Sequence, residues 1–480
     1  MIIVKRSSII IQPYNEFNRS PQLESLLSVW NKSRHESKPI GLYYDNDTET
    51  LRIPRGISVR KLKNTFPEDI IDIDKSFDEV SKVSIKLTTN PLNDKQKECI
   101  QFLLSKGDYE ELSGHSRMLL EADTGVGKTY CTIATITYSK VKSAIILNKD
   151  GLIEQWKDRL LKFTNLDESE IGIIKGSKSI KALLKGKYKK LKIFLISIKT
   201  INAYAGKNGW ESITEVFEKL KIGIKVFDEA HLDFANIIKI DLFTNTRRTL
   251  YLTATAKRSD HNEDKVYKTI FANVPVLRLL RTKEEAYVKS YIVTYMTEPS
   301  KMTLAAMKNT YGLNSNKYLD YCFKGGGKEK FFEAVNVVFN TVYNREGKIA
   351  MLVGRRYAGK LIKDYLVDLG IPSKEIGIYN SDIKDKEKKQ KQLDKHIILT
   401  TYKSFGTGMD ISNLRYLINC EPYSSKVIAR QMIGRLRDIG GDVYYFEILD
   451  EGIHSRANQN SNVIKEILAI SEFVKRFQLP

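Results

Sequence analysis

Short apolar runs alternate along the chain with longer stretches whose apolar residues recur at helical spacing. From Leu92 to about Asn273 the runs are Met118-Leu119-Leu120, Ala144 to Leu147, Ile193 to Ile196, Ile222 to Phe227 and Thr249 to Leu252. A second set comprises Lys348 to Val353, Ile376 to Tyr379, His396 to Leu399, Tyr416 to Asn419 and Val443 to Leu449. A strand in a parallel sheet covered by helices on both faces must be apolar throughout, and these runs have that character. The pattern predicts two α/β domains in tandem.

The first ninety residues read differently. Leu23, Leu26, Leu27 and Trp30 stand at i, i+3, i+4 and i+7, which predicts a helix over Ser20 to Ser33. Gly41 to Tyr44 and Leu51 to Ile53 flank the turn-rich Asp45-Asn46-Asp47, which predicts a hairpin. The expectation is a small α+β domain over 1–88, a first α/β domain over 89–285 and a second over 286–480. Pro299 to Lys330, with Gly325-Gly326-Gly327, is poorly patterned and is expected to be an insertion or mobile connection.

Length and composition fit this division. A chain of 480 residues suggests about three domains at roughly 150 residues each. The absence of an apolar run of about 18 residues excludes a transmembrane helix. Lys5, Arg6, Ser7 and Ser8 interrupt the N-terminal apolar residues and exclude a signal-peptide core. Cys99, Cys131, Cys322 and Cys420 form no C-x-x-C pair, which disfavours a zinc site or a disulfide framework and predicts reduced thiols in the cytoplasm. The net charge is 78 − 58 = +20. Met1 to Asn90 contribute 14 − 12 = +2, so the excess lies downstream. Such a balance points to nucleic acid, with an anionic membrane surface as the rival partner. Lys175 to Lys192 holds eight lysines and no acid, a candidate phosphate patch. Lys384 to Lys395 mixes lysines with Asp385, Glu387 and Asp394 and reads as a solvated helix face.

Two segments carry chemistry. Leu119-Leu120-Glu121-Ala122-Asp123-Thr124-Gly125-Val126-Gly127-Lys128-Thr129 is a strand, a glycine-bearing turn and a helix start. Backbone N–H groups and the helix dipole would cradle phosphates there, Lys128 would reach the β- and γ-phosphates, and the Thr129 hydroxyl would ligand Mg²⁺. Ala122 stands where the usual pattern begins with Gly. The second segment, Val226-Phe227-Asp228-Glu229-Ala230-His231, is an apolar strand ending in two carboxylates, 100 residues after Lys128. Asp228 is placed to hold Mg²⁺, and Glu229 to orient or deprotonate an attacking water.

With these two, the remaining motifs occur in the order of a family. Asp228-Glu229-Ala230-His231 with the Lys128 loop resembles a superfamily 2 helicase or translocase, DEAH by its letters. The resemblance covers about Leu92 to Ile448 and implies two tandem RecA-like domains, ATP and Mg²⁺. It implies that Gln96 in Leu92-Asn93-Asp94-Lys95-Gln96 reads adenine. Thr124, Gly125, Gly127, Gly408 and Asp410 join Lys128 and Thr129 as nucleotide-binding residues. Leu252-Thr253-Ala254-Thr255-Ala256 resembles motif III, so His231, Thr253 and Thr255 would couple hydrolysis to movement. Gln431-Met432-Ile433-Gly434-Arg435-Leu436-Arg437 resembles motif VI, making Gln431 a catalytic residue and Arg435 and Arg437 arginine fingers. Arg437 stands one residue earlier than the common spacing. Motifs Ia, Ib, IV and V place Lys149, Gln155, Ser197, Lys199, Arg355, Thr400, Thr401 and Ser404 on a strand track of backbone contacts. Ile53-Pro54-Arg55-Gly56 is similar to a segment of UvsW-type phage helicases, which makes Arg52 and Arg55 candidates for contact with branched DNA.

The resulting expectation is a monomeric, ATP-dependent DNA helicase or translocase acting on forks and junctions. An RNA helicase or transcript-release translocase is the alternative. A non-catalytic nucleic-acid clamp would not need Lys128, Thr129, Asp228, Glu229, Gln431 and Arg435 together, and a membrane-surface protein would explain none of these motifs.

Overall fold

The computed structural model describes the chain except residues 33–36, 47–48, 124, 187–189, 232, 255–260, 311, 381–382, 384, 407–408, 410, 421–422, 424 and 480. For 30–32, 37–39, 46, 261, 386, 427 and 459 it describes the backbone alone. The chain divides into two compact units, Met1–Leu280 and Arg281–Pro480.

The first unit opens with a five-stranded mixed sheet, ordered Tyr44–Asn46, Thr50–Pro54, Ser8–Ile11, Ile2–Val4, Ile71–Ile73. The expected hairpin is present, with Asp45 opposite Leu51. The expected helix over Ser20 to Ser33 is shorter: Pro21–Leu26 is helical, capped by the Ser20 hydroxyl, and Ser28–Lys32 is a strand paired antiparallel with Ser37–Gly41. Leu27 and Val29 are both buried, so burial of every second residue replaces the helical period after Leu26.

The unit's main sheet has seven parallel strands: β1 Arg117–Ala122, β2 Ser143–Leu147, β3 Ile171–Ile174, β4 Ile193–Ser197, β5 Ile224–Phe227, β6 Arg248–Thr253 and β7 Val276–Leu279. Their order is β3-β4-β2-β5-β6-β1-β7. Met118 and Leu120 face one core, with Ile145 and Leu147; Leu119, Ala144 and Ile146 face the other. The second core also contains Ile2, Val4, Ile9, Ile11, Leu51 and Ile53, so the N-terminal sheet closes one face of the seven-stranded sheet. Gly56 makes this docking possible. A Cβ there would lie 2.1 Å from the carbonyl oxygen of Ile270, while the Gly56 carbonyl accepts from the Asn273 N–H at 2.9 Å.

Beneath this interface lies a buried ionic cluster. Arg117 donates to Asp241 and to the carbonyl of Ser7, Lys225 pairs with Asp241, and the Tyr251 hydroxyl donates to the same carboxylate. Burial pushes Lys225 down to about 8 even though Asp241 pulls the other way. For Asp241, burial opposes ionisation, but Arg117 and Lys225 outweigh it and hold the carboxyl below its ordinary value.

The second unit repeats the arrangement with β8 Val288–Tyr295, β9 Lys348–Leu352, β10 Ile376–Ile378, β11 Ile397–Thr400, β12 Leu414–Asn419, β13 Val443–Asp450 and β14 Phe473–Gln478. The order, β10-β11-β9-β12-β13-β8-β14, matches the first sheet strand for strand. These are tandem RecA-like domains preceded by a small mixed-sheet domain. The segment 299–330, expected as an insertion or mobile connection, contains two packed helices. Helices Lys301–Met307 and Ser315–Lys324 bury Met307, Tyr318, Leu319, Cys322 and Phe323 in the second unit's core. The four cysteines are buried thiols outside any disulfide. Among the described residues no helix is long and apolar enough to cross a membrane.

Candidate nucleotide and nucleic-acid site

The ends of β1, β5 and β6 bring the predicted nucleotide residues together. After β1 the chain turns through Gly125 and Gly127, at φ +100° and +96°, where an L side chain would be strained, and enters helix α2, Lys128–Ser139. Lys128 folds its ammonium back onto the carbonyls of Ala122 and Asp123. Gln96, from helix α1 (Asp94–Leu104), lies buried against this turn. A Cβ on Gly127 would stand 2.6 Å from the Gln96 amide nitrogen, which donates to the Val126 carbonyl at 3.3 Å. The amide oxygen accepts from the Leu92 N–H at 2.9 Å, so backbone occupies both ends of this side chain.

At the end of β5, Asp228 is buried with both carboxylate oxygens held. Oδ1 accepts from the Glu229 N–H at 2.9 Å, and Oδ2 accepts from the Trp156 indole N–H at 2.8 Å. Burial and the adjacent Glu229 charge push its carboxyl up to about 6, against the pull of Trp156 and Lys128. Glu229 has φ +50°, an uncommon conformation for a residue with a Cβ that concentrates at functional sites. Its carboxylate lies 3.2 Å from Nδ1 of His231, which in turn lies 3.0 Å from the hydroxyl of Thr253 at the end of β6. The same His231 nitrogen thus faces both the Glu229 carboxylate and the Thr253 hydroxyl.

The donor set suits Mg²⁺ and phosphate. Magnesium takes oxygen ligands and is held by one or two protein oxygens together with substrate phosphates. The Asp228 carboxylate and Thr129 hydroxyl provide such oxygens, with Lys128 for the phosphates. Among the described residues no group of three His, Cys, Asp or Glu side chains forms a metal cluster of its own.

The track residues are more dispersed. Lys149, at the cap of helix α3 (Asp150–Phe163), and Lys199 are exposed, Gln155 is half-buried, and Ser197 is buried at the end of β4. Thr400 is buried, Thr401 caps the short helix Tyr402–Gly406 through the Ser404 N–H, and Arg355 lies 3.7 Å from Asp320. Arg435 donates to the Gly406 carbonyl at 2.9 Å, tying motif VI to motif V within the second unit. Gln431 is half-buried and Arg437 exposed. In the N-terminal domain Arg52 lays its guanidinium over Phe243 and Arg55 is half-buried, while Arg60, Lys61 and Lys63 are exposed. In the lysine run, Lys175 pairs with Asp150 and Lys192 with Glu170. Thr124, Thr255, Gly408 and Asp410 lie outside the described residues.

Two side chains at the site were not singled out from the sequence. Trp156 holds Asp228, and Arg159 donates to the Thr129 hydroxyl at 2.8 Å. A buried indole N–H requires an acceptor, and that requirement was the available signal for Trp156.

Comparison with known proteins agrees with this geometry. Residues 89–258 match the family model described as type III restriction enzyme, res subunit. The chain is 31% identical over 147 residues to a "DNA 3'-5' helicase XPB" of Kineococcus radiotolerans, covering 30% of this chain and 24% of that one. It is 25% identical over 346 residues to "Transcript termination protein A18" of Yaba-like disease virus, covering 68% and 66%. The chain thus spans about a quarter of the first relative and about two thirds of the second. Among solved structures, S. cerevisiae Dbp5 bound to RNA and ADP BeF3 superposes with TM-score 0.53 at 14% identity, over 80% of this chain and 89% of that one. T4 UvsW aligns over 100% of both chains at 15% identity, with a TM-score of 0.37 that is too low to bear on the fold. The fold is that of tandem RecA-like domains with a glycine-bearing phosphate-loop turn in the first unit. In sequence the chain is similar to proteins named as helicases.

Proposed function

We propose that the chain is an ATP- and Mg²⁺-dependent DNA helicase or translocase that remodels forked and junction DNA. The observation that carries this reading is the Lys128 loop, whose charge acts on buried Asp228, together with Glu229 and Thr253 gathered around one nitrogen of His231. In this reading, Thr129 and Asp228 would hold Mg²⁺, which would supply positive charge at the phosphates beside Lys128, and Glu229 would orient the attacking water. Gln431, Arg435 and Arg437 are assigned their roles toward the nucleotide by the motif in which they stand. Lys149, Gln155, Ser197, Lys199, Arg355, Thr400, Thr401 and Ser404 form the proposed track. In the N-terminal domain, exposed Arg60, Lys61 and Lys63 are better placed than Arg52 and Arg55 to meet DNA phosphates. The viral relative, matched over 346 residues, favours transcript release as a second reading.

The test compares ATPase stimulation and strand separation on forked DNA, four-way junctions, linear duplex and RNA. A clear advantage for branched DNA supports the first reading, and an advantage for RNA or a stalled transcript supports the second. Lys128→Ala should lower turnover by about 10²–10³ while binding of nucleic acid persists, because it removes one preorganised cation. Retained turnover refutes the site. Because the N-terminal sheet shares a core with the motor, its role is tested by Gln substitution at Arg60, Lys61 and Lys63 rather than by deletion. Unchanged branched-DNA preference in that variant makes the domain structural.

A further inference from the structure

Helix α3 does more than place strand contacts. Trp156 and Arg159 stand three residues apart, which puts them on one face of the helix. Each reaches a different proposed metal ligand: Trp156 Nε1 is 2.8 Å from Asp228 Oδ2, and Arg159 Nη1 is 2.8 Å from Thr129 Oγ1. The same helix is capped by Lys149 and carries Gln155, both proposed to meet the nucleic-acid strand.

The two contacts have opposite consequences for a divalent cation. The indole N–H occupies one lone-pair direction of Asp228 Oδ2 and fixes the carboxylate plane without adding charge. An outer contact of this kind raises metal affinity by orienting the ligand. Arg159 brings a permanent positive charge to the other ligand. Mg²⁺ requires its oxygens at about 2.0–2.1 Å. On the oxygen that accepts from Arg159, a metal and the guanidinium would be near neighbours of like charge. Cation binding and the Arg159–Thr129 contact therefore compete.

We propose that Trp156 and Arg159 are opposed positioning residues of the metal site, Trp156 raising its affinity for Mg²⁺ and Arg159 lowering it. Any movement of α3 on strand binding that draws Arg159 from Thr129 would then favour the loaded site. This rests on the nucleotide-site reading above.

The experiment titrates Mn²⁺ by electron paramagnetic resonance in the presence of a non-hydrolysable ATP analogue, with and without DNA, and measures the Mg²⁺ dependence of ATP turnover in parallel. Arg159→Ala should bind the cation about ten-fold more tightly without DNA, the scale of a lost charged hydrogen bond. It should also gain less from added DNA than wild type does. Arg159→Lys, which keeps the charge, should stay near wild type. Trp156→Phe should bind the cation about ten-fold more weakly, as expected when an outer partner of a ligand is removed. Equal cation affinity in Arg159→Ala and wild type, or weaker affinity in Arg159→Ala, overturns the proposal even if Trp156→Phe fails to fold. A wild-type chain that binds neither the analogue nor Mn²⁺ with it overturns the nucleotide site itself, and this inference with it.

Discussion

The two units use the same seven-strand order, yet their strand ends do different work. In the first, the end of β1 opens into a turn of left-handed glycines and a lysine-headed helix. In the second, the end of β8 is stitched shut. Thr297 donates its N–H and hydroxyl to Asp450 at the end of β13, and Gly452 packs so closely on Thr297 that a Cβ would lie 1.9 Å from its carbonyl oxygen. The strand end that opens into a loop in one unit is closed by protein contacts in the other. The sheet is a shared scaffold, and chemistry resides in the loops at the carboxyl ends of its strands.

The buried carboxylates repeat this lesson. Asp241 in the first unit and Glu447 in the second are both fully enclosed. Asp241 faces two cations and is held below its ordinary value of 3.8. Burial pushes Glu447 above its ordinary 4.5, against the pull of Arg456, Tyr445, Asn419 and Asn460. Burial is similar, and the partners decide the sign.

The comparison can be broken at several points. The largest effect should come from Asp241→Asn, which leaves Arg117 and Lys225 buried without a counter-charge and should cost about 3–5 kcal/mol in urea unfolding. A loss confined to the range of a surface substitution would show that the cluster is solvated. Thr297→Val removes one partner of the buried Asp450 and should cost about 1–3 kcal/mol while leaving ATP turnover unchanged. Impaired turnover with intact stability would give the second unit's strand end a chemical role. Acid should separate the units further. The stabilisation from Asp241 is present above 3.8 and lost as pH falls through its lower folded value. Glu447 behaves oppositely: above 4.5 the unfolded chain ionises first, so stability falls as pH rises toward its raised folded value. Hydrogen exchange below pH 4 should accelerate in β6 before β13; the reverse order would contradict the assignment. Smallest of all, Lys225→Met should cost about 1 kcal/mol in urea unfolding, because Arg117 still balances Asp241 and the lost donor to Thr244 is partly offset by relief of the ammonium's desolvation.

Much of this was legible in the sequence. The continuous apolar runs identified β1, β2, β4, β5 and β6 in the first unit and β9 to β13 in the second, because strands covered on both faces leave few polar gaps. Edge and boundary strands were missed for the converse reason. β14 has Lys475 and Arg476 exposed among its apolar residues, and β3 contains Gly172. Lys128, Asp228 and Glu229 could be proposed from sequence because phosphate chemistry restricts residue type and spacing. Trp156 and Arg159 were not, since their roles depend on which face of α3 meets which strand end. Arg52 and Arg55 were candidates for contact with branched DNA, but neighbouring Gly56 packs the segment so closely on the Ile270 carbonyl that both are half-buried.

The central claim is that the strand ends of the first unit hydrolyse ATP. Glu229→Gln tests it most directly, by phosphate release with Mg²⁺ and DNA alongside equilibrium binding of labelled ATP. The account predicts intact ATP binding with turnover lower by about 10²–10⁴, the usual contribution of a positioned base. Turnover equal to wild type in a variant that binds ATP normally would contradict it.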